Sequence, residues 1–261
     1  MTQRALAYLL PTIVALLVLA FWEWAVAYFE VAPFVLPAPS AIAATFVTEW
    51  ASLADSAWVT LTITVEAFLW ALALGFLLAV VFAQSRMIER ALLPYAVTLQ
   101  TTPIVAIAPL ILIWVGGDHA DRAVLILATI VAFFPILANT TLGLRSADPQ
   151  LKELFQLYGT SRLQTLLRLQ IPTALPYLLA GMKISGGLAL IGAVVAEFVA
   201  GSGTSTGLAW RIIEASNRLQ IAKMFAALAL LSVMGIAIYA LLSLLERQLL
   251  SRWHEASIAK E

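Results

Sequence analysis

The hydrophobic residues of this chain fall into six long blocks separated by more polar stretches. Each block is about 20 residues or longer, which is enough for a helix to cross roughly 30 Å of hydrocarbon. The pattern therefore predicts an all-α, polytopic membrane helix bundle with six transmembrane helices. The blocks lie near residues 8–29, 59–83, 92–115, 123–145, 174–199 and 223–245.

A polar interruption, residues 146–172, comes between the fourth and fifth blocks. Asp148 can cap a helix, and Pro149 suits the first helical position because its amide needs no partner there. The sequence DPQLKELFQ (148–156) is therefore predicted to form a short helix.

The same interruption continues with signals for a turn and a second helix. Gly159 supplies a turn that a side chain would hinder. Ser161 can cap a second helix, RLQTLLRLQ, which Pro172 is expected to stop. Two such amphipathic helices would either lie passively on lipid headgroups or form a platform for a partner.

The amino-acid composition argues against several classes of function. The chain is 62% hydrophobic and 11% charged, whereas a soluble domain is about 25% charged. Its zero net charge implies no nucleic acid or other polyanionic partner. The absence of cysteine and the presence of two histidines argue against metal sites, and no glycine precedes a lysine, so there is no P-loop. We therefore expect no cofactor, no metal and no catalytic residues.

The distribution of lysine and arginine predicts the orientation of the spans. With a cytoplasmic N-terminus, ten basic residues lie inside and four outside, and the C-terminus is also cytoplasmic. On this basis residues 146–172 are cytoplasmic and residues 200–222 form an outer loop. The inner residues are Arg4, Arg86, Arg90, Arg145, Lys152, Arg162, Arg168, Arg247, Arg252 and Lys260; the outer ones are Arg122, Arg211, Arg218 and Lys223.

Polar residues inside the third block raise the question of a substrate path. Gln100, Thr101, Thr102 and Pro103 follow one another there. Polar groups at membrane depth need partners or water. The segment is either a kinked helix whose hydroxyls bond their own backbone or a surface that faces a pore.

Three ionisable residues lie within apolar blocks, where an unpaired charge is costly. Glu197 lies near the outer end of the fifth block and either reaches the interface or acts beside a gate. Glu66 lies in the middle of the second block with no identifiable partner, and Lys183 lies in the inner third of the fifth.

Small and turn-forming residues predict two further features. Gly181, Ser185, Ala189 and Ala193 recur every four residues and permit close helix packing, against either the same chain or a second copy. Residues 31–55 form a long outer link between the first and second blocks, and Ser40 is predicted to cap a short interfacial helix there.

The outer loop is glycine-rich and then helical through LAWRIIEASNRL. Arg211, Glu214 and Arg218 fall on one face of that helix. They either pair with one another or form an edge where a partner protein docks.

The spacing within 146–172 resembles the EAA loop of the inner-membrane permease subunits of ABC importers. That loop has Glu-Ala-Ala, three residues, Gly, nine residues, Ile, one residue and Leu-Pro. Here Glu153, Gly159 and Pro172 keep the spacing, Leu154 and Phe155 replace the alanines, and Leu169 and Ile171 stand at the two later positions.

Other stretches are similar to the branch of this family that imports sulfonates, taurine, nitrate, and thiamin or riboflavin precursors. They are LPAPSAI, TTPIVAIAPLILIWVGG, FFPILANTTLGL and AVVAEFVAGSGTSTGL. The resemblance implies a type I ABC importer permease fold, with residues 1–261 as one transmembrane permease domain in a bacterial inner membrane. It implies an ATP-driven importer whose hydrolysis occurs on another subunit, so that this chain is not an enzyme.

The resemblance also implies partners and sites. The partners are two cytoplasmic ATPase subunits, a second permease copy forming a homodimer, a periplasmic or lipid-anchored substrate-binding protein, and membrane lipid. The ATPase-coupling candidates are Glu153, Leu154, Phe155, Gly159, Ser161, Arg162 and Pro172. The pathway or gate candidates are Gln100, Thr101, Thr102, Pro103, Asn139 and Glu197. The outer-loop docking candidates are Gly201, Gly203, Arg211 and Arg218.

The expected substrate is a small organic molecule or anion, with a vitamin precursor such as a pyrimidine or flavin favoured. The alternative is a secondary transporter or channel that works without an ATPase. Such a protein more often has inverted repeats with broken helices in both halves, and none is evident. A membrane enzyme is disfavoured because the two histidines form neither an HExxH helix nor a plausible triad.

Overall fold

A computed structural model describes residues 3–200 and 206–251, and no strand occurs among them. Eleven α-helices follow one another along this part of the chain. They are α1 (Gln3–Tyr28), α2 (Pro39–Thr48), α3 (Trp50–Gln84), α4 (Arg86–Thr101), α5 (Ile104–Val115), α6 (Ala120–Arg145), α7 (Pro149–Leu157), α8 (Arg162–Thr165), α9 (Ile171–Ala200), α10 (Leu208–Asn217) and α11 (Ile221–Leu250). A 3₁₀ turn (Gly117–His119) precedes α6, and a π turn (Leu166–Gln170) joins α8 to α9.

The predicted membrane spans are present, five of them as continuous helices. These are Leu9–Tyr28, Trp50–Gln84, Ala120–Arg145, Arg162–Val199 and Ile221–Leu250. Helices α4 and α5 form a sixth candidate span only if they are counted as a pair, because they are bent by 102° at the break between them. The all-α membrane fold is confirmed.

The prediction of one helix over residues 92–115 is wrong. Helix α4 begins earlier, where the Ser85 hydroxyl accepts from the amide of Ile88 at 3.3 Å, and it ends at Thr101. Thr102 and Pro103 are both extended, with ψ of 125° and 123°. Proline lacks an amide donor and disfavours the helical conformation of the residue before it, so the chain leaves the helix here.

The chain divides into two compact units, each described here by itself. The first comprises Met1–Trp58 and Thr206–Ser232; the second comprises Val59–Ser205 and Val233–Glu261.

Within the second unit, α9 packs closely along α6. The Ser185 hydroxyl donates to the carbonyl of Ala132 at 2.6 Å, and a Cβ added at Gly181 would lie 3.0 Å from the Pro135 carbonyl. Ala189 and Ala193 are fully buried in this seam. The predicted small-residue face is therefore a packing surface, and its neighbour is a helix of the same chain.

Two apolar clusters lie towards opposite ends of α6 in this unit. One buries Ala108 of α5 with Val124, Leu127 and Ala196. The other buries large side chains from α3 and α6 with the π turn and the start of α9: Phe82, Leu137, Leu144, Leu166 and Ala174. The second cluster fixes the polar segment that follows α6, because Leu166 belongs to that segment.

In the first unit, the short helix α2 is held by a carboxylate from α1. Both the amide and the hydroxyl of Ser40 donate to Glu23, at 3.0 and 2.7 Å. The prediction that Ser40 caps α2 is wrong: Ala38 occupies the cap position and makes no side-chain cap hydrogen bond. Ser40 lies inside the first turn, where a free amide and a nearby carboxylate are a favourable combination.

Candidate functional site

Helix α7 is a short exposed helix whose start follows the prediction. The Asp148 carboxylate accepts from the amide of Gln150 at 2.8 Å, and Pro149 is the first helical residue. Of the predicted coupling residues, Glu153 and Leu154 are exposed and Phe155 is half-buried. The helix thus presents an acidic and an apolar side chain outward together.

A tight turn follows α7 at the predicted glycine. Gly159 has a φ of +66°, in the left-handed region that side chains disfavour. Its amide donates to Gln156 at 2.9 Å, and both the amide and the hydroxyl of Thr160 donate to the carbonyl of Phe155, at 3.1 and 2.8 Å. The carbonyls of Phe155 and Gln156 near the end of α7 are thereby satisfied, and the turn is closed.

The next helix begins at Ser161, also as predicted. Its hydroxyl accepts from the amide of Gln164 at 3.2 Å, and the Gln164 side chain accepts from the Ser161 amide at 2.8 Å. This reciprocal pair is a capping box and satisfies two amides that a helix start otherwise leaves free. Arg162, the first residue after the cap, is exposed.

The prediction that Pro172 stops this helix is wrong. The π turn intervenes, and the Ile171 amide bonds to the carbonyl of Leu166, five residues back. This wider hydrogen-bond pattern lets Pro172 enter the first turn of α9 without a break, and the Thr173 hydroxyl donates to the Leu169 carbonyl at 2.7 Å. The polar segment therefore runs directly into a spanning helix.

Two ion pairs join helices within the second unit, and no pattern in the sequence predicted them. The Arg145 guanidinium pairs through both terminal nitrogens with the Glu89 carboxylate and donates to the Phe82 carbonyl at 3.0 Å. Lys183 pairs with Glu246 of α11 at 2.7 Å. The partners lie 56 and 63 residues apart in sequence, beyond the reach of any local pattern.

The candidate pathway residues of the third block lie at the break between α4 and α5. The Thr101 hydroxyl donates to the Val97 carbonyl at 3.1 Å, and that of Thr102 donates to Thr98 at 2.7 Å. Gln100 and Pro103 are exposed. The hydroxyls thus bond their own helix, as one of the two interpretations expected, while the remaining polar surface at the break is open.

The other two pathway candidates, Asn139 and Glu197, lie on α6 and α9 and are far from each other. The Asn139 amide donates to the Pro135 carbonyl at 2.8 Å, and its Cβ lies 3.1 Å from where a Cβ on Gly181 would be. Glu197 is 16 residues further along α9 than Gly181, which is about 24 Å of helix.

Glu197 is fully buried, so the interpretation that it reaches the membrane interface is wrong. Its carboxylate accepts from the Thr60 hydroxyl of α3 at 2.8 Å, and the Thr60 carbonyl accepts from the Thr64 hydroxyl at 2.7 Å. A short hydroxyl chain thus joins α3 to the end of α9. Glu66, by contrast, is exposed on α3.

The docking candidates on α10 form a chain of charges within the first unit. Glu214 bridges Arg211 at 2.8 Å and Arg218 at 3.0 Å, and Arg211 also donates to the buried Ser56 hydroxyl at 2.9 Å. The hydrogen bond from Arg211 lowers the pKa of the Glu214 carboxyl from its ordinary value. Arg211 is thus fixed to α3, whereas Arg218 is 64% exposed in its side chain. The predicted Gly201 and Gly203 lie outside the described residues.

A second charged contact of this unit joins Lys223 at the start of α11 to Glu49, at 2.8 Å. The hydrogen bond and the charge of Lys223 lower the pKa of the Glu49 carboxyl. This contact also lacked any signal in the sequence.

Comparison with known proteins gives a consistent set of similarities. A family model described as "Binding-protein-dependent transport system inner membrane component" matches residues 71–251. The riboflavin transport system permease protein RibX of Chloroflexus aurantiacus is 36% identical over 247 residues, covering 93% of this chain and 88% of RibX. The formylaminopyrimidine transport permease protein ThiX of Halalkalibacterium halodurans is 33% identical over 254 residues, covering 95% of this chain and 97% of ThiX.

A solved structure has the same fold. It is a crystal structure of an amino acid ABC transporter with histidines, and one of its chains matches with a TM-score of 0.65. The match covers 78% of this chain and 97% of that chain at 19% identity.

Proposed function

This chain belongs to the family of binding-protein-dependent transport system inner membrane components, and on that premise we propose that residues 149–171 couple it to a cytoplasmic ATPase. As an ABC importer permease it forms the membrane part of an importer and is not itself an enzyme. In the proposed arrangement two ATPase subunits act on two copies of this chain. The N- and C-termini face the cytoplasm of a bacterium.

The observation that carries the coupling proposal is the continuous path from α7 to α9. Helix α7 exposes Glu153 and Leu154 at one end of this path. The turn at Gly159, the capping box at Ser161 and the π turn then lead without a break into a span. A push on α7 would be transmitted to α9, because each joint along the path has its hydrogen bonds satisfied.

For the substrate path we propose the break between α4 and α5, where Gln100, Thr101, Thr102 and Pro103 lie. Because the helix is broken at Thr102 and Pro103, backbone carbonyls near the break lack helical partners and can face water or a substrate. Asn139 is the next polar group proposed for the path, on α6.

Glu197 is proposed as a gate residue at the end of α9. A fully buried carboxylate held by the Thr60 hydroxyl can hold α3 and α9 together in one state and release them in another. This proposal predicts reduced transport by Glu197→Gln in an assembled complex.

The substrate proposed is a small heteroaromatic vitamin precursor. RibX is named for riboflavin and ThiX for formylaminopyrimidine, and both match most of this chain. A periplasmic or lipid-anchored binding protein would deliver this compound to the outer loop, with Arg218 the exposed charge for docking. Arg211, Gly201 and Gly203 belong to the same proposed edge.

The coupling proposal is tested by reconstituting the full chain with its ATPase and measuring stimulated hydrolysis and uptake. Gly159→Val places a β-branched residue at a φ of +66° and should abolish both, while membrane insertion remains normal. Gly159→Asn is the matched control, because asparagine tolerates this conformation. Glu153→Lys should also lose stimulation, since it reverses the charge that α7 presents.

Wild-type stimulation in Gly159→Val and Glu153→Lys would return the segment to a passive interfacial linker. Uptake that persists without any ATPase would instead support the secondary transporter.

A further inference from the structure

A polar cavity lies against the coupling segment, within the second unit. It encloses about 280 Å³ between α7, the start of α8, the end of the π turn and the end of α3. All seven side chains that line it are polar, two of them cationic and none acidic. The cations are Lys152 and Arg162.

Neither cation is neutralised within the part of the chain that the structure describes. No carboxylate there lies within 4 Å of Lys152 or Arg162, and the Lys152 ammonium only reaches the Arg145 carbonyl at 3.4 Å. The neighbouring Arg145 differs, because it pairs with Glu89. The cavity therefore carries two positive charges without a counter-charge.

The neutral side chains add donors in suitable places. Gln84 donates to Gln170 at 3.1 Å and so closes one wall of the cavity, with its second amide hydrogen left over. The hydroxyls of Thr160 and Thr165 lie 3.2 Å apart on another wall, where they donate to the carbonyls of Phe155 and Ser161. The donors left for a phosphoryl anion are therefore the two cations and the side-chain amides, and cationic groups form strong, charge-assisted hydrogen bonds to phosphate.

The position of the cavity indicates where such an anion would come from. Gln84 follows directly after the apolar block of residues 59–83, and Gln170 lies four residues before the apolar block of residues 174–199. This wall of the cavity thus lies where two membrane helices leave the hydrocarbon, which is the level of lipid headgroups.

We propose that this cavity binds a phosphoryl anion, and specifically the headgroup phosphate of an anionic lipid, which then holds the coupling segment against the end of α3. A free phosphate has the same chemistry and is the alternative source. The proposal uses the coupling function only to place the cavity in the cytoplasmic leaflet, and its test does not involve the ATPase.

The test measures binding of phosphatidylglycerol to the purified full chain by native mass spectrometry, with phosphatidylcholine as the reference lipid. Arg162→Gln is compared with Arg168→Gln, because Arg168 is an exposed arginine of the same segment that does not line the cavity. Both variants lose one positive charge, so any general attraction to anionic lipid falls equally. We expect phosphatidylglycerol to bind Arg162→Gln about tenfold more weakly than Arg168→Gln, since a charge-assisted contact is lost.

Further variants guard against misfolding. Arg162→Lys should retain most of the binding, and Lys152→Gln should weaken it as Arg162→Gln does. An unchanged melting temperature in all variants shows that the chain still folds.

Inorganic phosphate distinguishes the two sources. If millimolar phosphate leaves phosphatidylglycerol bound, the lipid is the ligand; if phosphate displaces phosphatidylglycerol and binds in its place unless Arg162 is replaced by glutamine, the ligand is the free anion. Equal losses in Arg162→Gln and Arg168→Gln, or no loss in either, would overturn the site.

Discussion

Two prolines of the second unit follow polar stretches of the chain, and the backbone accommodates them in opposite ways. At Pro103 the helix breaks, and α5 leaves α4 at 102°. At Pro172 the helix continues from Arg162 to Val199. The residues before them differ accordingly: Thr102 is extended with ψ of 125°, and Ile171 is helical with φ of −63° and ψ of −48°.

The difference shows that a proline alone does not decide whether a helix ends. Before Pro172, the π turn supplies a hydrogen bond that reaches five residues back, so the chain stays helical without the missing donor. Before Pro103, α4 ends in an ordinary helical turn, and its polar hydroxyls bond α4 itself. The continuous helix around Pro172 is called the stiff joint below, and the break before Pro103 is called the opening.

The largest expected effect comes from inserting two glycines into the stiff joint, between Gln170 and Ile171. The path from α7 to α9 would become flexible, and stimulated ATP hydrolysis should fall by about tenfold or more, a loss of order 1.4 kcal/mol in coupling. The same insertion between Thr102 and Pro103 is the control, because the helix is already broken there. Equal losses of stimulation at the two positions would contradict the contrast between joint and opening.

A smaller effect is expected when each proline is replaced by alanine. Pro103→Ala restores a backbone donor and should straighten α4 and α5, whereas Pro172→Ala should change little because that helix is already continuous. Spin labels on Arg90→Cys and Ile113→Cys in this cysteine-free chain report the bend. Their separation should increase towards about 35 Å, the length of 23 residues of straight helix.

An unchanged distance in Pro103→Ala would show that packing, rather than the proline, imposes the break. Uptake measured on the same variant then tells whether the bend is required for transport.

A smaller difference is expected between the N-caps of α8 and α4, measured as the loss of local stability when each capping serine is removed. Ser161→Ala removes a reciprocal capping box and should cost about 1 kcal/mol locally, or roughly fivefold faster amide exchange at Gln164. Ser85→Ala removes a single hydrogen bond of 3.3 Å at the start of α4 and should have a smaller effect. Hydrogen exchange with mass spectrometry measures both, and the reverse order would count against the stiff joint.

The smallest effect concerns pH and lies away from both prolines. The carboxyls of Glu49 and Glu214 have a pKa below the ordinary 4.5 in the folded chain, so they stabilise the first unit above that pH. This stabilisation is lost as pH falls below 4.5 towards their folded pKa. Glu214→Gln should remove part of the acid sensitivity, seen in melting temperature between about pH 5 and 3, while exchange at both proline regions stays as in the wild type.

The sequence predicts the features that depend on neighbouring residues. The cap at Asp148, the turn at Gly159 and the cap at Ser161 each involve residues within five positions, and each is present. Five of the six apolar blocks predict a continuous span in the same way, because the length of a helix is a local property.

The features that the sequence did not predict depend on residues far apart in the chain. The Thr60 partner of Glu197 lies 137 residues away. The local sequence predicts Ser40 to be a cap, but its hydroxyl and amide instead donate to Glu23 on another helix. The outcomes at Pro103 and Pro172 likewise depend on the hydrogen-bond pattern of the preceding turn, which a proline in a sequence does not specify.

The seam between α6 and α9 has a consequence for how this protein tolerates mutation. A single methyl group at Gly143 would lie 2.7 Å from Tyr177, and one at Gly192 would lie 3.0 Å from the Ala128 backbone. Alanine at these positions should give temperature-sensitive alleles, and a saturation library should be depleted there even of the most conservative changes. The line of intolerant glycines would then trace, in a growth assay alone, the contact along which α6 and α9 pack most closely.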